Sequence, residues 1–162
     1  MADTSRRTIR SFRSDDAERL VALVQTSIRG LGARAYSREQ IAAWSSRHHE
    51  AARFEHRHAL GHRILLAVDD EDEPAAFTLY EPDGHLDMLY CHPAHAGRGL
   101  ATALIHRVEA EASAAGVPRL TTEASDLARP VFENAGWTTE HRRDFALGDV
   151  PIHNWAMVRH LG

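Results

Sequence analysis

The sequence predicts an α/β fold: a mixed, mostly antiparallel, twisted sheet of about seven strands flanked by helices. Three observations carry this reading. The hydrophobic period is helical over residues 14–61 and changes at Arg63 to short apolar runs of strand length. Three such runs then follow one another with only short turns between them, which makes neighbours antiparallel. One long helical segment, 97–116, stands between two strands, and only a strand–helix–strand unit of this kind needs parallel pairing, by a right-handed crossover.

The elements follow in order. TIRSF (8–12) alternates and starts the sheet. Ser14 caps a helix over SDDAERLVALVQTSIRG, with carboxylates in its first turn, Leu20, Leu23, Val24 and Ile28 on one stripe, and Gly30 as its stop. A second helix opens at Ser37, where Gln40 three residues later completes a capping box, and it carries Ile41 and Trp44. HHEAARFEHRHALG (48–61) predicts a third, more polar helix. RILLAVDD and PAAFTLYE form a hairpin across the acidic turn DDEDE, and Pro82-Asp83-Gly84 turns the chain into HLDMLYCH (85–92). The long helix has an apolar stripe of Ala101, Leu104, Ile105, Val108 and Ala112 and ends at Gly116. PRLTTEAS adds a strand, DLARPVFENAG a short helix, and WTTEHRRDFAL with IHNWAMVRHL a closing hairpin.

Composition narrows the function. At 162 residues the chain fits a single domain, 1–162, able to bury a sizeable core. A net charge of -4 argues against a dedicated nucleic-acid binder. One cysteine excludes an internal disulfide and points to a reducing, cytoplasmic setting. No apolar run approaches the roughly 20 residues of a membrane helix, and MADTSRRTIR lacks the apolar centre of a signal peptide.

The most informative stretch is CHPAHAGRGLATA (91–103). Gly97 and Gly99 flank Arg98 where a strand gives way to a helix. Unpaired N–H groups at a helix start attract anions, and glycines let a phosphate approach them. The loop is too short for a P-loop and lacks the three-glycine dinucleotide spacing, so an anion cradle and a plain turn both remain open.

The surroundings resemble the GNAT superfamily of N-acetyltransferases, whose signature is R/Q-x-x-G-x-G/A after a strand ending in a proline. Ala96-Gly97-Arg98-Gly99-Leu100-Ala101 matches at both terminal small positions, Pro93 stands in place, and Ala96 replaces the opening Arg or Gln. FENAGW (132–137) is similar to the family's Tyr-Glu-x-x-Gly-Phe pattern, with Phe132 and Trp137 as departures. The likeness runs through the chain and is nearest to a YafP-like bacterial subgroup. It implies acetyl-CoA as donor, with the pyrophosphate on the backbone of Gly97, Arg98, Gly99, Leu100, Ala101 and Thr102. It also implies that pantetheine pairs with Leu89, Tyr90 and Cys91, on a strand that splays from its neighbour, and that Phe132 lies beside the thioether.

Direct acetyl transfer in a ternary complex needs a base for the amine, because an alkyl ammonium has a pKa of roughly 10. Strict alternation places His85, Asp87, Leu89 and Cys91 on one face of their strand. Alignment to the glycine loop puts Asp87 where many family members carry a catalytic glutamate, and Glu123 on the adjacent strand is the competing base. His85 suits a hydrogen-bonding or substrate role. Phe132 has no hydroxyl to act as the acid, and Cys91 is either a donor or core. The resemblance builds the acceptor pocket from the first two helices and the closing hairpin. Tyr36, Trp44 and Trp155 are its candidate walls or else plain core, and Asn154 is a candidate polar contact. The partner is a small-molecule or peptide amine; the closing hairpin offers an edge for a homodimer.

Twelve histidines invite a metal reading, and His58 with His62 have helical spacing. With no HExxH-type signature and arginines all around, a solvated helix face is the stronger reading, and no metal is expected. His141-Arg142-Arg143 and the arginines near the N-terminus are expected to be surface charge. A non-catalytic acyl-CoA sensor is the alternative class, suggested by Ala96 and Phe132.

Overall fold

A computed structural model describes residues 8–162; the expectations for MADTSRR fall outside the described residues. Seven strands form one sheet in the order β1-β2-β3-β4-β5-β7-β6. They are β1 (Thr8–Ser11), β2 (Arg63–Val68), β3 (Pro74–Tyr80), β4 (His85–Cys91), β5 (Arg119–Ala124), β6 (Thr138–Leu147) and β7 (Val150–His160). The helices are α1 (Ala17–Gly32), α2 (Arg38–Ser45), α3 (Ala52–Ala59), α4 (Leu100–Ala114) and α5 (Arg129–Asn134). Every pairing is antiparallel except β4 with β5, which α4 connects, as the segment order predicts.

Both faces of the sheet are covered. Leu20, Val24 and Ile28 of α1 and Phe54 of α3 pack on Ile64, Leu66, Phe77 and Leu79. On the other face Leu104, Ile105 and Val108 of α4, with Phe132 and Trp137, pack on Leu65, Ala67 and Leu86. The central strands β2 and β3 are therefore apolar at almost every position, buried on both sides.

Local chemistry explains the boundaries. Ser37 Oγ accepts the Gln40 N–H at 3.1 Å while Gln40 Oε1 accepts the Ser37 N–H at 2.9 Å, the predicted capping box. Ser14 does not cap α1; a 3₁₀ turn, Ser14–Asp16, precedes the helix, and the carboxylate of Asp16 accepts the Arg13 N–H at 2.7 Å. Asp16 is fully buried. Burial alone would raise its pKa, but hydrogen bonds from Arg10, the Arg13 backbone and Arg19 outweigh it and hold the group at about 2.

Gly30 is not the stop of α1, which continues to Gly32. A Cβ at position 30 would lie 2.7 Å from Pro93 Cγ, so this glycine lets the loop after β4 press against the helix. The third helix is shorter than the polar segment, at Ala52–Ala59.

Strict alternation fails in β4. Leu79 pairs with Met88 but Tyr80 pairs with Leu86, so Asp87 is an extra residue in a β-bulge. The bulge reverses the side-chain phase. Leu86, Leu89 and Cys91 pack toward α4, whereas Met88 and Tyr90 pack toward α1. Cys91 therefore does not share a face with Asp87, and the single-face grouping of His85, Asp87, Leu89 and Cys91 is corrected.

Candidate active site

β4 and β5 pair only at His85↔Thr121 and Leu86↔Thr122. Beyond Leu86 the two strands diverge, and a cleft of about 450 Å³ opens between them. The β4 segment Asp87–Cys91 lines this cleft along one side, past the last residues that pair with β5. Leu89, Tyr90, Cys91, Gly97, Gly99, Leu100, Ala101, Thr102 and Phe132 all line it, so the structure gathers nine of the ten residues assigned to the cofactor in one cleft. Arg98 is exposed and is not among the lining side chains.

The glycine loop has a clear conformational basis. Gly97 and Gly99 have φ of 76° and 79°, in the left-handed region, and Gly99 stands at the cap of α4. A Cβ at either position would meet nothing within 4 Å. No protein contact demands these glycines, so what they keep clear is backbone bend and open space at a helix start. Phe132 is 1% exposed, meets Trp137 edge-on at a centroid distance of 4.8 Å, and closes the cleft from α5.

A second cavity of about 490 Å³ adjoins the first. Tyr36, Trp44, His48, Phe145, Ile152 and Asn154 form much of its wall. Asp87, Tyr90, Glu123, Ser125 and Trp44 line both cavities and so mark their junction. The two candidate bases meet here from neighbouring strands. Trp44 Nε1 donates to Tyr90 Oη at 3.2 Å, and burial pushes the Tyr90 hydroxyl pKa up.

Both carboxylates at the junction already have cationic partners. Arg57 Nη1 of α3 donates to Asp87 Oδ2 at 2.9 Å, and its Nε donates to His62 Nδ1 at 2.6 Å. His85 lies between Glu123 and Glu81, with one ring nitrogen 2.5 Å from each. The hydrogen bond with Glu123, supported by Glu81 and opposed by burial, raises His85 to about 9, so it is an imidazolium at neutral pH. The same bond lowers Glu123. His48 behaves oppositely: burial, aided by the charge of Arg53, pushes it down to about 4 and keeps it neutral.

The remaining candidates separate. Tyr36 and Asn154 line the second cavity, but both also hold structure: Tyr36 Oη accepts the Asp126 N–H at 2.9 Å, and Asn154 Oδ1 accepts from Arg143 at 3.2 Å. Trp155 lines neither cavity; its Nε1 donates to Asp126 Oδ1 at 2.7 Å, and the Arg129 guanidinium lies 3.9 Å from its ring centroid. His85 sits behind Glu123 instead of facing either cavity. His58 stacks on Phe12 while His62 accepts from Arg57, and among the described residues no group of three or more His, Cys, Asp or Glu is placed to hold a metal.

Sequence reading missed His48, Arg57 and Arg143. The first two lie in a polar segment read as a solvated face, and Arg143 in a run read as surface charge. Neither reading carries a signal that these side chains turn toward one cavity or one carboxylate.

Comparison with known proteins agrees with this geometry. Residues 32–155 match the model of the acetyltransferase (GNAT) domain family, and the chain belongs to that family. It is 28% identical to the uncharacterised N-acetyltransferase YafP of Escherichia coli over 81% of each chain. The solved GCN5-related N-acetyltransferase of Rhodopseudomonas palustris is 33% identical, with a TM-score of 0.88 over 97% of both chains. The fold is also that of YncA from Salmonella typhimurium, a putative acetyltransferase solved with its cofactor acetyl-CoA (TM-score 0.73, 19% identity, covering 96% of this chain and 94% of that one). As a member of that family the protein is an acyltransferase similar to YafP, and the mostly antiparallel seven-stranded sheet is the GNAT fold.

Proposed function

We propose that this acetyltransferase, a single domain, moves an acetyl group from acetyl-CoA directly to an amine in a ternary complex. One observation carries the proposal: the splayed cleft and the second cavity meet at Asp87 and Glu123, so donor and acceptor can be held at once on opposite sides of one junction. The donor's pyrophosphate sits on the first-turn N–H groups of α4 across Gly97 and Gly99, and pantetheine runs along the cleft side of Leu89, Tyr90 and Cys91. Phe132 packs beside the thioether.

In the reaction the amine nitrogen attacks the thioester carbonyl, a C–N bond forms and the C–S bond breaks. Asp87 receives the amine proton, directly or through one water. We choose it over Glu123 because alignment to the glycine loop puts Asp87 where many GNAT members carry a catalytic glutamate. Each carboxylate has one cationic partner, Arg57 for Asp87 and His85 for Glu123, so the pairing does not separate them. Phe132 has no proton to donate, so the leaving thiolate takes its proton from solvent or from the cationic nitrogen of the tetrahedral adduct, which loses it as the amide forms.

We place the reaction in the cytoplasm, on the single cysteine and on the lack, among the described residues, of any helix long and apolar enough to cross a membrane. β6 of the closing hairpin, one of the two terminal strands of the sheet, is the edge on which a second copy would pair. A panel of amines, amino acids, peptides and aminoglycosides with acetyl-CoA, followed by free-thiol release, tests the function. Turnover above acetyl-CoA hydrolysis is expected; tight cofactor binding with no turnover on any amine would favour the sensor reading instead.

A further inference from the structure

The second cavity has an unusual distribution of charge. Its floor holds Asp87, paired with Arg57, and Glu123, paired with the His85 imidazolium, and both of these cations are shared with Glu81. Its wall adds three guanidinium groups from two directions: Arg47 and Arg53 from the α2–α3 side, and Arg143 from the β6–β7 hairpin. Among the described residues none of these three is ion-paired to a carboxylate within 4.0 Å. Arg53 spends one donor on the Arg47 carbonyl, and Arg143 one on Asn154.

Several other arginines are ion-paired, Arg10 and Arg19 with Asp16, Arg63 with Glu111 and Arg129 with Glu133, whereas Arg29, Arg34, Arg38 and Arg107, like the three in the cavity, pair with no carboxylate among the described residues. His153 at the rim is hydrogen-bonded to Asp126, and His48 is neutral. The cavity therefore carries an excess of positive charge on a chain of net charge -4. That field repels a polyamine or an aminoglycoside and attracts an anion, and the guanidinium fork matches the oxygens of a carboxylate or phosphate.

We propose that the acceptor carries its own anionic group, a carboxylate or a phosphate, which Arg47, Arg53 and Arg143 receive while its amine faces Asp87 and Glu123. This inference rests on the acetyl-transfer reading and names the substrate class for the same site.

Matched amines test it: phenethylamine against phenylalanine, which adds a carboxylate, and ethanolamine against O-phosphoethanolamine, which adds a phosphate. With acetyl-CoA, kcat/KM should favour at least one anionic member by about tenfold or more, the scale of one charge-assisted contact. Which pair responds distinguishes carboxylate from phosphate. Arg53→Gln and Arg143→Gln should each raise KM for that member several-fold, whereas Arg107→Gln, the same charge change on the exposed face of α4, should not.

Calorimetry of O-phosphoethanolamine and phenylalanine on the coenzyme A-loaded protein supplies a second readout. Turnover of the neutral-tailed amines at equal or higher rates, or a preference that survives both arginine changes, overturns the inference and leaves acetyl transfer standing. Arginine-dependent binding without turnover keeps the inference and removes acetyl transfer to these amines. Neither binding nor turnover of any anionic member overturns the inference.

Discussion

His85 on β4, paired with Thr121, reaches diagonally to Glu123 on β5, one residue past the last paired position of that strand, Nε2 to Oε2 at 2.5 Å. The bond holds the mouth of the splay in register and holds one carboxylate of the junction ionised. Its strength depends on a proton, which makes it open to test by pH.

The sign of that dependence follows from the raised pKa of His85. Its contribution to stability is fully present below the ordinary imidazole value of 6.5 and is lost as pH rises through about 9. The expected size is on the order of 2 kcal/mol, since the pair is partly buried and coupled. Urea denaturation at pH 7 and pH 9.5 should show the loss in the wild type and much less of it in His85→Gln. An identical pH slope in the variant would remove the clamp from the account.

Asp87 and Glu123 are separated by substitutions that keep shape and delete basicity. Asp87→Asn should cut the rate by 10²–10⁴-fold, the usual range for a lost general base, with the acetyl-CoA dissociation constant nearly unchanged. The ascending limb of the pH–rate profile should disappear or move toward the pKa of the free amine. Glu123→Gln should cost less; if it shows the larger loss and the altered profile, the role passes to Glu123. A normal pH profile in Asp87→Asn, with a good acceptor in hand, ends the assignment.

Gly99 tests the loop. Gly99→Ala places a methyl in open space on a left-handed residue, so the fold should lose only about 1 kcal/mol. The methyl and the altered backbone fall where the pyrophosphate must approach, and acetyl-CoA affinity should drop by an order of magnitude or more. Titration calorimetry with a parallel melting curve separates the two effects. Unchanged affinity takes the loop out of the site.

Phe132 is a wall, not an acid. Phe132→Ala should destabilise the protein by about 3–5 kcal/mol through the cavity beside Trp137, and should weaken cofactor binding. Phe132→Tyr should keep acetyl-CoA affinity within about 1 kcal/mol, the range of a tolerated near-isosteric change. Faster thiol release in Phe132→Tyr would show that the cleft accepts a phenol donor. A tenfold loss of affinity in that variant would show that the ring edge faces packed protein and not the ligand.

Legibility differed between elements for physical reasons. The capping box at Ser37, the stripe of α4 and the hairpin of β2 with β3 are local, so adjacent residues suffice to specify them. The glycine loop at 97–99 was equally legible as the junction of a strand and a helix, and the structure adds the left-handed conformation of both glycines. Gly30 was misread, because a stop and a close helix–loop contact use the same residue, and only Pro93, distant in sequence, decides between them. Trp155 was placed with the acceptor by its hairpin, yet its register opposite Ala124 turns it to Asp126 and Arg129.

What the sequence by itself determined is the order of elements, a glycine loop at a helix start and the pair of strands that carry the candidate bases, because these follow from periodicity, glycine chemistry and short motifs. Tertiary structure alone decided which way β4 faces past residue 87, since a bulge is one extra residue against a partner strand and leaves no trace in its own pattern. It also decided the charge of the junction. Arg57 comes to Asp87 from 30 residues away, Glu123 to His85 from 38, and Arg143 to the second cavity from the far edge of the sheet. Electrostatics acts through space, and the chain path that brings these groups together is set by the whole core and not by any segment of it.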